Sequence, residues 1–134
     1  MSALPQTRYA RSRDVTLAYQ IVGEVAHGGM ATVWRARDEV LGRDVAMKVL
    51  SPQYAADPGF LARFEREVQL TAGLTHPSTI AIYDYGRTGD GVFYYAMELL
   101  NGINLLQLVT LDGPVPASRV VHLLRQACGA LSEA

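Results

Sequence analysis

Apolar positions in this chain change period several times, and each change marks an element. From Val15 to Val25 apolar and β-branched residues dominate (Val15, Leu17, Tyr19, Ile21, Val22, Val25), a strand-like pattern with Gly23 as its weak point. Gly28-Gly29 is a turn signal, and Thr32-Val33-Trp34-Arg35-Ala36-Arg37 resumes as a strand, which makes a hairpin. Glu39 to Arg43, with Gly42, is a second turn, leading into the run Asp44-Val45-Ala46-Met47-Lys48-Val49-Leu50. Connections this short predict three consecutive antiparallel strands.

The period then lengthens. Asp57-Pro58 announces a helix, with Asp as N-cap and Pro at the first helical position. Phe60, Phe64, Thr71 and Leu74 recur at three- to four-residue spacing, with Glu67 on the same stripe, and His76-Pro77 is expected to end the helix. Ile80 to Tyr85 and Val92 to Met97 are two further strands joined by the turn Gly86 to Gly91. Glu98 to Gly102 is short and irregular, Leu105 to Val109 is one or two helical turns, and Gly113-Pro114 breaks the chain again. From Pro116 onward Val120, Leu124, Ala127 and Leu131 mark a helical stripe that Val121, Leu123 and Cys128 widen past half the circumference. Such a helix expects partners on several sides. Met1 to about Arg13 reads as a polar leader.

Composition narrows the classes. A chain of 134 residues suits one compact domain, and its net charge of −1 gives no support to nucleic-acid binding, which favours a strongly basic face. Cys128 is the single cysteine, so intramolecular disulfides and cysteine-rich metal sites are excluded. His27, His76 and His122 are scattered and form no ligand pair at helical spacing. No run approaches the roughly eighteen apolar residues of a membrane-spanning helix, and the leader is no secretory signal, so a cytoplasmic location is the expectation.

Three features carry candidate chemistry. The loop Ala26-His27-Gly28-Gly29-Met30-Ala31-Thr32-Val33 offers backbone amides that can approach phosphate oxygens with no side chain between them. Lys48, near the end of its strand, is a cation for those phosphates. Glu67, nineteen residues later on the helix, is an anion to hold that cation, and a carboxylate in an apolar stripe is costly to bury unless a cation meets it. Each feature alone has a plainer reading: a bare hairpin turn, a solvated strand-edge lysine, and a helix-surface glutamate paired with Arg63 one turn earlier. Their order and spacing together favour the chemical reading.

The quoted loop, Val45-Ala46-Met47-Lys48, Arg63-Phe64-Glu65-Arg66-Glu67, His76-Pro77 and Met97-Glu98-Leu99-Leu100 resemble a bacterial serine/threonine protein kinase. The resemblance implies an α+β fold: a kinase-like small lobe with a five-stranded antiparallel sheet and one packed helix, then a hinge and one or two helices of an incomplete large lobe. It divides the chain into a leader at 1–18, small lobe at 19–97, hinge at 98–104 and large-lobe start at 105–134. Implied roles are a Lys48–Glu67 ion pair for catalysis and ATP binding by Ala26, His27, Gly28, Gly29, Met30, Ala31, Val33, Ala46 and Lys48. Val33 and Ala46 would roof the adenine and Met97 would stand behind it. The Glu98 and Leu100 backbone would supply hinge hydrogen bonds, with Asn104 near the ribose. Two of the family's three loop glycines are alanines here, acceptable where the backbone keeps negative φ. The family's catalytic loop, its Mg²⁺ ligands and its activation segment would follow Ala134, so these 134 residues alone are expected to be inactive. A protein substrate is implied but not its identity. The alternative is a non-catalytic, pseudokinase-like or small-lobe interaction module. Arg8 to Gly23 is separately similar to the opening strands of some α/β-hydrolases, without the Gly-x-Ser-x-Gly elbow.

Overall fold

The computed structural model describes residues 9–10, 18–87 and 91–134. Most of the leader and the centre of the turn at 86–91 therefore lie outside the described residues. The described chain forms two compact units. One holds the residues up to Gly73 together with Ala81–Leu99; the other holds Leu74–Ile80 and Leu100–Ala134.

The first unit is built on an antiparallel sheet. Its strands are β1 (Tyr9–Ala10), β2 (Ala18–His27), β3 (Ala31–Asp38), β4 (Arg43–Leu50), β5 (Ile82–Arg87) and β6 (Phe93–Glu98), in the order β1-β2-β3-β4-β6-β5. The five expected strands are β2 to β6. The two-residue β1 is an addition from the segment read as leader, pairing Tyr9 with Tyr19 and Ala10 with Ala18. Main-chain pairing at a sheet edge needs no side-chain pattern, and the similarity of Arg8 to Gly23 to opening strands of some α/β-hydrolases was the one signal of a strand there. Gly23 sits at the first of two register shifts in the β2–β3 pair, as a glycine inside a strand pattern foretells.

Turn chemistry fixes the β3–β4 connection. Buried Asp38 accepts hydrogen bonds from the amides of Val40 (3.0 Å) and Leu41 (3.1 Å), and the Gly42 amide donates to the Asp38 carbonyl at 2.9 Å. Gly42 needs to be glycine, because its φ is 65°. The register that follows sets Val33 opposite Lys48, Trp34 opposite Met47, Arg35 opposite Ala46 and Arg37 opposite Asp44. Directly opposed residues share a face, and successive residues alternate.

One face carries the core: Tyr19, Ile21, Ala36, Val45, Met47, Tyr94 and Ala96, flanked by Trp34, Val49, Tyr83 and Val92. Val45, Met47 and Ala96 are fully shielded from solvent. The Tyr19 hydroxyl on β2 donates to Asp84 on β5 at 3.3 Å, and the Tyr19 and Tyr94 rings meet edge to face at 6.3 Å. Since β2 and β5 lie near opposite ends of the strand order, the sheet must curl on itself, with the core inside the curl.

Two helices complete this unit. Helix α1 (Pro52–Ala55) was not foreseen; it is one turn, and its Tyr54 ring lies 5.0 Å from Phe60. Helix α2 (Pro58–Ala72) starts as expected, with the Asp57 carboxylate accepting from the amides of Gly59 (2.9 Å) and Phe60 (3.2 Å). It ends at Ala72 with Gly73 as C-cap, earlier than the His76-Pro77 stop, because the Gly73 amide already closes the last turn onto Leu70. Its one buried residue is Val68, which the expected stripe omitted.

In the second unit, helices α3 (Leu105–Asp112) and α4 (Ala117–Glu133) follow the predicted helical segments. Neither has a buried residue, and Leu106, Leu111, Leu124 and Leu131 are all exposed.

Two outcomes test this account. Met47→Ala empties a sealed position in the curl and should destabilise the fold by about 2–5 kcal/mol in urea unfolding. Asp44 accepts from Arg35 at 2.6 Å and from Arg37 at 3.1 Å, and these guanidinium hydrogen bonds hold its carboxyl below the ordinary value. A carboxyl depressed on folding stabilises above its unfolded pKa, and that contribution disappears as pH falls through the lower folded value. The urea midpoint of Asp44→Asn should therefore fall less than that of the parent between pH 4 and pH 2.

Candidate functional site

The face of the sheet opposite the core collects the candidate residues. Register places Val33 beside Lys48, Ala46 beside Met97 and Lys48 beside Tyr95, so Val33, Ala46, Lys48 and Met97 all lie on one surface. Ala46 is buried, while Val33, Lys48 and Met97 are half-buried. This follows from period-two geometry: Val45 and Met47 go to the core, so Ala46 and Lys48 cannot.

Helix α2 packs on this same face. The Phe64 ring lies 5.6 Å from Tyr95, and the Lys48 ammonium lies 5.8 Å from the centre of that ring. Between helix and sheet is a cavity of about 310 Å³, lined by Met30, Ala31, Lys48, Leu50, Phe60, Arg63, Phe64 and Glu67. Strand β4 supplies Lys48, α2 supplies Glu67, and the end of the glycine loop supplies Met30 and Ala31. The cavity is thus apolar in its walls and carries two cations and one anion.

The expected buried contact between Lys48 and Glu67 is not made. Both line the cavity, but they form no ion pair among the described residues, and Glu67 is exposed. The premise that Glu67 must be neutralised fails because the carboxylate stays in water and incurs no burial cost. The plainer partner, Arg63, makes no ion pair with Glu67 either; its guanidinium lies 5.8 Å from the Phe60 ring centre. An exposed pair gains only about 0–1 kcal/mol, too little to pull α2 against the sheet.

The loop joins β2 to β3 and is closed by its own backbone. The Gly28 amide donates to the Ala31 carbonyl at 3.0 Å, and the Ser51 amide ties Met30 to the end of β4 at 2.9 Å. Ala26 and Ala31 are strand residues, so the condition for replacing the two family glycines is met. Gly28 and Gly29 have ordinary φ, and a Cβ on Gly29 would meet nothing within 4 Å. His27 is exposed and its Nδ1 lies 3.1 Å from the Thr32 hydroxyl. The pairing of His27 with Thr32, whose neighbour is Val49, puts both side chains on the face away from Lys48.

Further along, the Glu98 amide is committed to the Ala81 carbonyl at 2.8 Å, leaving its own carbonyl as what that residue can offer. Leu100 and Asn104 belong to the second unit. Leu100 is exposed, and Asn104 is the N-cap of α3. Its side chain accepts from the Gln107 amide at 2.8 Å, and the Gln107 side chain accepts from the Asn104 amide at 2.9 Å. That reciprocal capping box occupies the polar group read as a ribose contact. Among the cavity residues, Leu50, Phe60, Arg63 and Phe64 were not singled out as site residues. The helical stripe containing Phe60 and Phe64 was the available signal.

Comparison with known proteins gives a consistent answer. The chain is 38% identical over 116 residues to the serine/threonine-protein kinase PrkC of Bacillus subtilis, covering 87% of this chain and 18% of that protein. It is 43% identical over 117 residues to PknB of Mycobacterium leprae, covering 85% and 19% respectively. With pkn3 of Myxococcus xanthus it shares 34% identity over 130 residues, 97% of this chain and 24% of that one. Among solved structures, the PknI kinase domain of Mycobacterium tuberculosis superposes with a TM-score of 0.76 at 29% identity, over 98% of this chain and 51% of that chain. No protein-family model matches. The chain therefore spans about a fifth of the length of these curated relatives and about half of the solved kinase domain. With its sheet, helix and motif order matching kinases in both sequence and fold, the chain belongs to the bacterial serine/threonine protein kinase family.

Proposed function

We propose that these 134 residues are the ATP-binding portion of a kinase that transfers the γ-phosphate of ATP to serine or threonine in a protein. The observation that carries this reading is the cavity shared by Lys48, Glu67, Met30 and Ala31, on the face that also bears Val33, Ala46 and Met97. Lys48 serves as a mobile point charge for the α- and β-phosphates, and Glu67 steadies it once α2 closes. Val33 and the small Ala46 roof the adenine, with Met97 behind it. The Glu98 carbonyl and the Leu100 backbone bind the base edge, and the Gly29 amide approaches the phosphates beside the side-chain-free backbone of Gly28, whose own amide is held by the Ala31 carbonyl. Ala26, His27 and Asn104 take secondary places, His27 at the exposed tip.

The residue types fit ATP: a cation in a partly apolar cavity beside a loop where a ligand meets no Cβ. Mg²⁺ is implied by the family, and neither a His-Arg-Asp nor an Asp-Phe-Gly segment occurs in the sequence to supply the base or the metal ligand. No helix among the described residues is long and apolar enough to cross a membrane. One observation favours a second reading, a non-catalytic interaction module: Glu67 stands exposed and unpaired among the described residues.

Two measurements decide. Titration with a non-hydrolysable ATP analogue, followed by amide NMR, should shift Gly28, Gly29, Val33 and Lys48 with an affinity on the order of millimolar. Lys48→Met should abolish those shifts, and micromolar affinity for the 134 residues alone would contradict the proposal. Radiolabel transfer from ATP to a generic protein substrate should be undetectable with these residues alone, since losing general-base catalysis by itself costs about 10²- to 10⁴-fold. Lysine-dependent turnover would refute that expectation.

A further inference from the structure

Four residues on the site face of the sheet stand at the corners of one rectangle. Val33 on β3 is opposite Lys48 on β4, and two residues outward Arg35 is opposite Ala46. Opposed residues of an antiparallel pair bring their Cβ atoms to about 5 Å, and the next pair on that face is roughly 7 Å further along. A base roofed by Val33 and Ala46 lies across one diagonal. The other diagonal runs from Lys48, on the phosphate side, to Arg35. A two-ring base broad enough to touch Val33 and Ala46 therefore also meets Arg35.

Arg35 is tethered on this surface. Its Nη2 donates to Asp44 Oδ2 at 2.6 Å, while Arg37 Nη1 donates to Oδ1 at 3.1 Å. Asp44 is opposite Arg37, one more pair outward from Lys48. The carboxylate thus draws the Arg35 guanidinium away from the phosphate end, and the aliphatic stem runs from beside Ala46 toward Asp44. Ala46 is 5% exposed although its side chain is a single methyl, so its neighbours already close around it. The hydrogen bonds from Arg35 first and Arg37 second hold the Asp44 carboxyl below its ordinary value, so the tether is anionic at neutral pH. With the Arg35 side chain 52% and the Asp44 side chain 31% exposed, the pair adds little to folding stability. Its main effect is on where the guanidinium lies.

We propose that Arg35 is a base-contact residue and Asp44 its positioning residue: the Arg35 stem closes the outer side of the adenine site, and Asp44 keeps the guanidinium off the ring. The inference rests on the ATP reading of this face. Released from Asp44, a long cationic side chain beside Ala46 covers the roof and draws phosphate to the base end.

Amide NMR titrations of the 134-residue chain with a non-hydrolysable ATP analogue and, separately, with tripolyphosphate test it. In the parent the analogue should shift Arg35, Ala46 and Lys48, whereas tripolyphosphate should shift Lys48 and leave Arg35 and Ala46 in place. Arg35→Ala should weaken the analogue by about fivefold, as expected for losing a buried aliphatic stem, with tripolyphosphate affinity unchanged. Arg35→Met loses the same charge but keeps an unbranched stem, and should bind the analogue with close to parental affinity. Asp44→Asn should weaken the analogue and let tripolyphosphate shift the Arg35 amide. Adding Arg35→Met to Asp44→Asn should restore analogue binding, because no guanidinium remains to restrain. Equal analogue affinity in the parent and Arg35→Ala would overturn the proposal and leave the ATP reading standing. Parental affinity in Asp44→Asn, or no rescue by Arg35→Met, would overturn the positioning role. A parent in which neither ligand shifts Lys48 would overturn the ATP reading, and the proposal with it.

Discussion

Strand β4 is the constraint on which the rest depends. It is flanked by β3 and β6, and its alternate residues must satisfy two different environments. Val45 and Met47 fill the curl of the sheet, while Ala46 and Lys48 are thereby turned to the opposite surface. A slip of one residue would exchange the sets, placing an ammonium in the core and a methionine in the cavity. Burying that charge unpaired would be prohibitive, so the hydrophobic demand of the core and the placement of the lysine enforce the same register. The Asp38 and Gly42 turn fixes that register from one end, and the bond from Ser51 to Met30 ties it down at the other.

The separation of Lys48 from Glu67 follows from how little holds α2. One buried valine, an aromatic contact between Phe64 and Tyr95 and an N-cap leave the helix with few demands on its distance from the sheet. Both charges keep water, so the pair has no desolvation to recover and little to gain by closing. A polyanion beside Lys48 would change that balance. In the proposed complex a phosphate at the lysine would draw it into a drier, fixed position, where the second anion would orient the ammonium rather than merely neutralise it. Arg63, also in the cavity wall, adds positive potential to the same space.

Most of this was legible in the sequence wherever a side-chain pattern coincides with a backbone requirement. Alternation in β3 and β4, Asp57-Pro58 at the start of α2, Gly42 in its turn and Gly23 at a register shift each encode a local necessity. Three features were illegible or nearly so, for identifiable reasons. Strand β1 pairs through main chain alone, marked only by the hydrolase-like stretch from Arg8 to Gly23. Helix α1 is a single turn whose Ser51-Pro52 start reads equally well as a loop. The end of α2 was placed at His76-Pro77 because proline is a strong stop, but a glycine four residues ahead of it allowed an earlier one. At the site, spacing placed Lys48 and Glu67 on facing elements, yet the gap between them depends on packing density, which no periodicity carries. Asn104 shows a related ambiguity: a polar residue before an apolar helical run serves as a cap, and here Gln107 three residues on completes the box.

The loop makes the same point about glycine. A residue must be glycine when its φ is positive or when something approaches within reach of a Cβ. Neither condition holds at Ala26 and Ala31, which lie in extended strands, so alanine costs nothing in the chain itself. Nor does either hold inside the chain at Gly28, where a Cβ would meet the Ala31 carbonyl at an ordinary 3.4 Å, or at Gly29, where it would meet nothing. What the two glycines preserve is bare backbone facing outward from the hairpin tip. The fold does not need that bareness; a ligand approaching the main chain would.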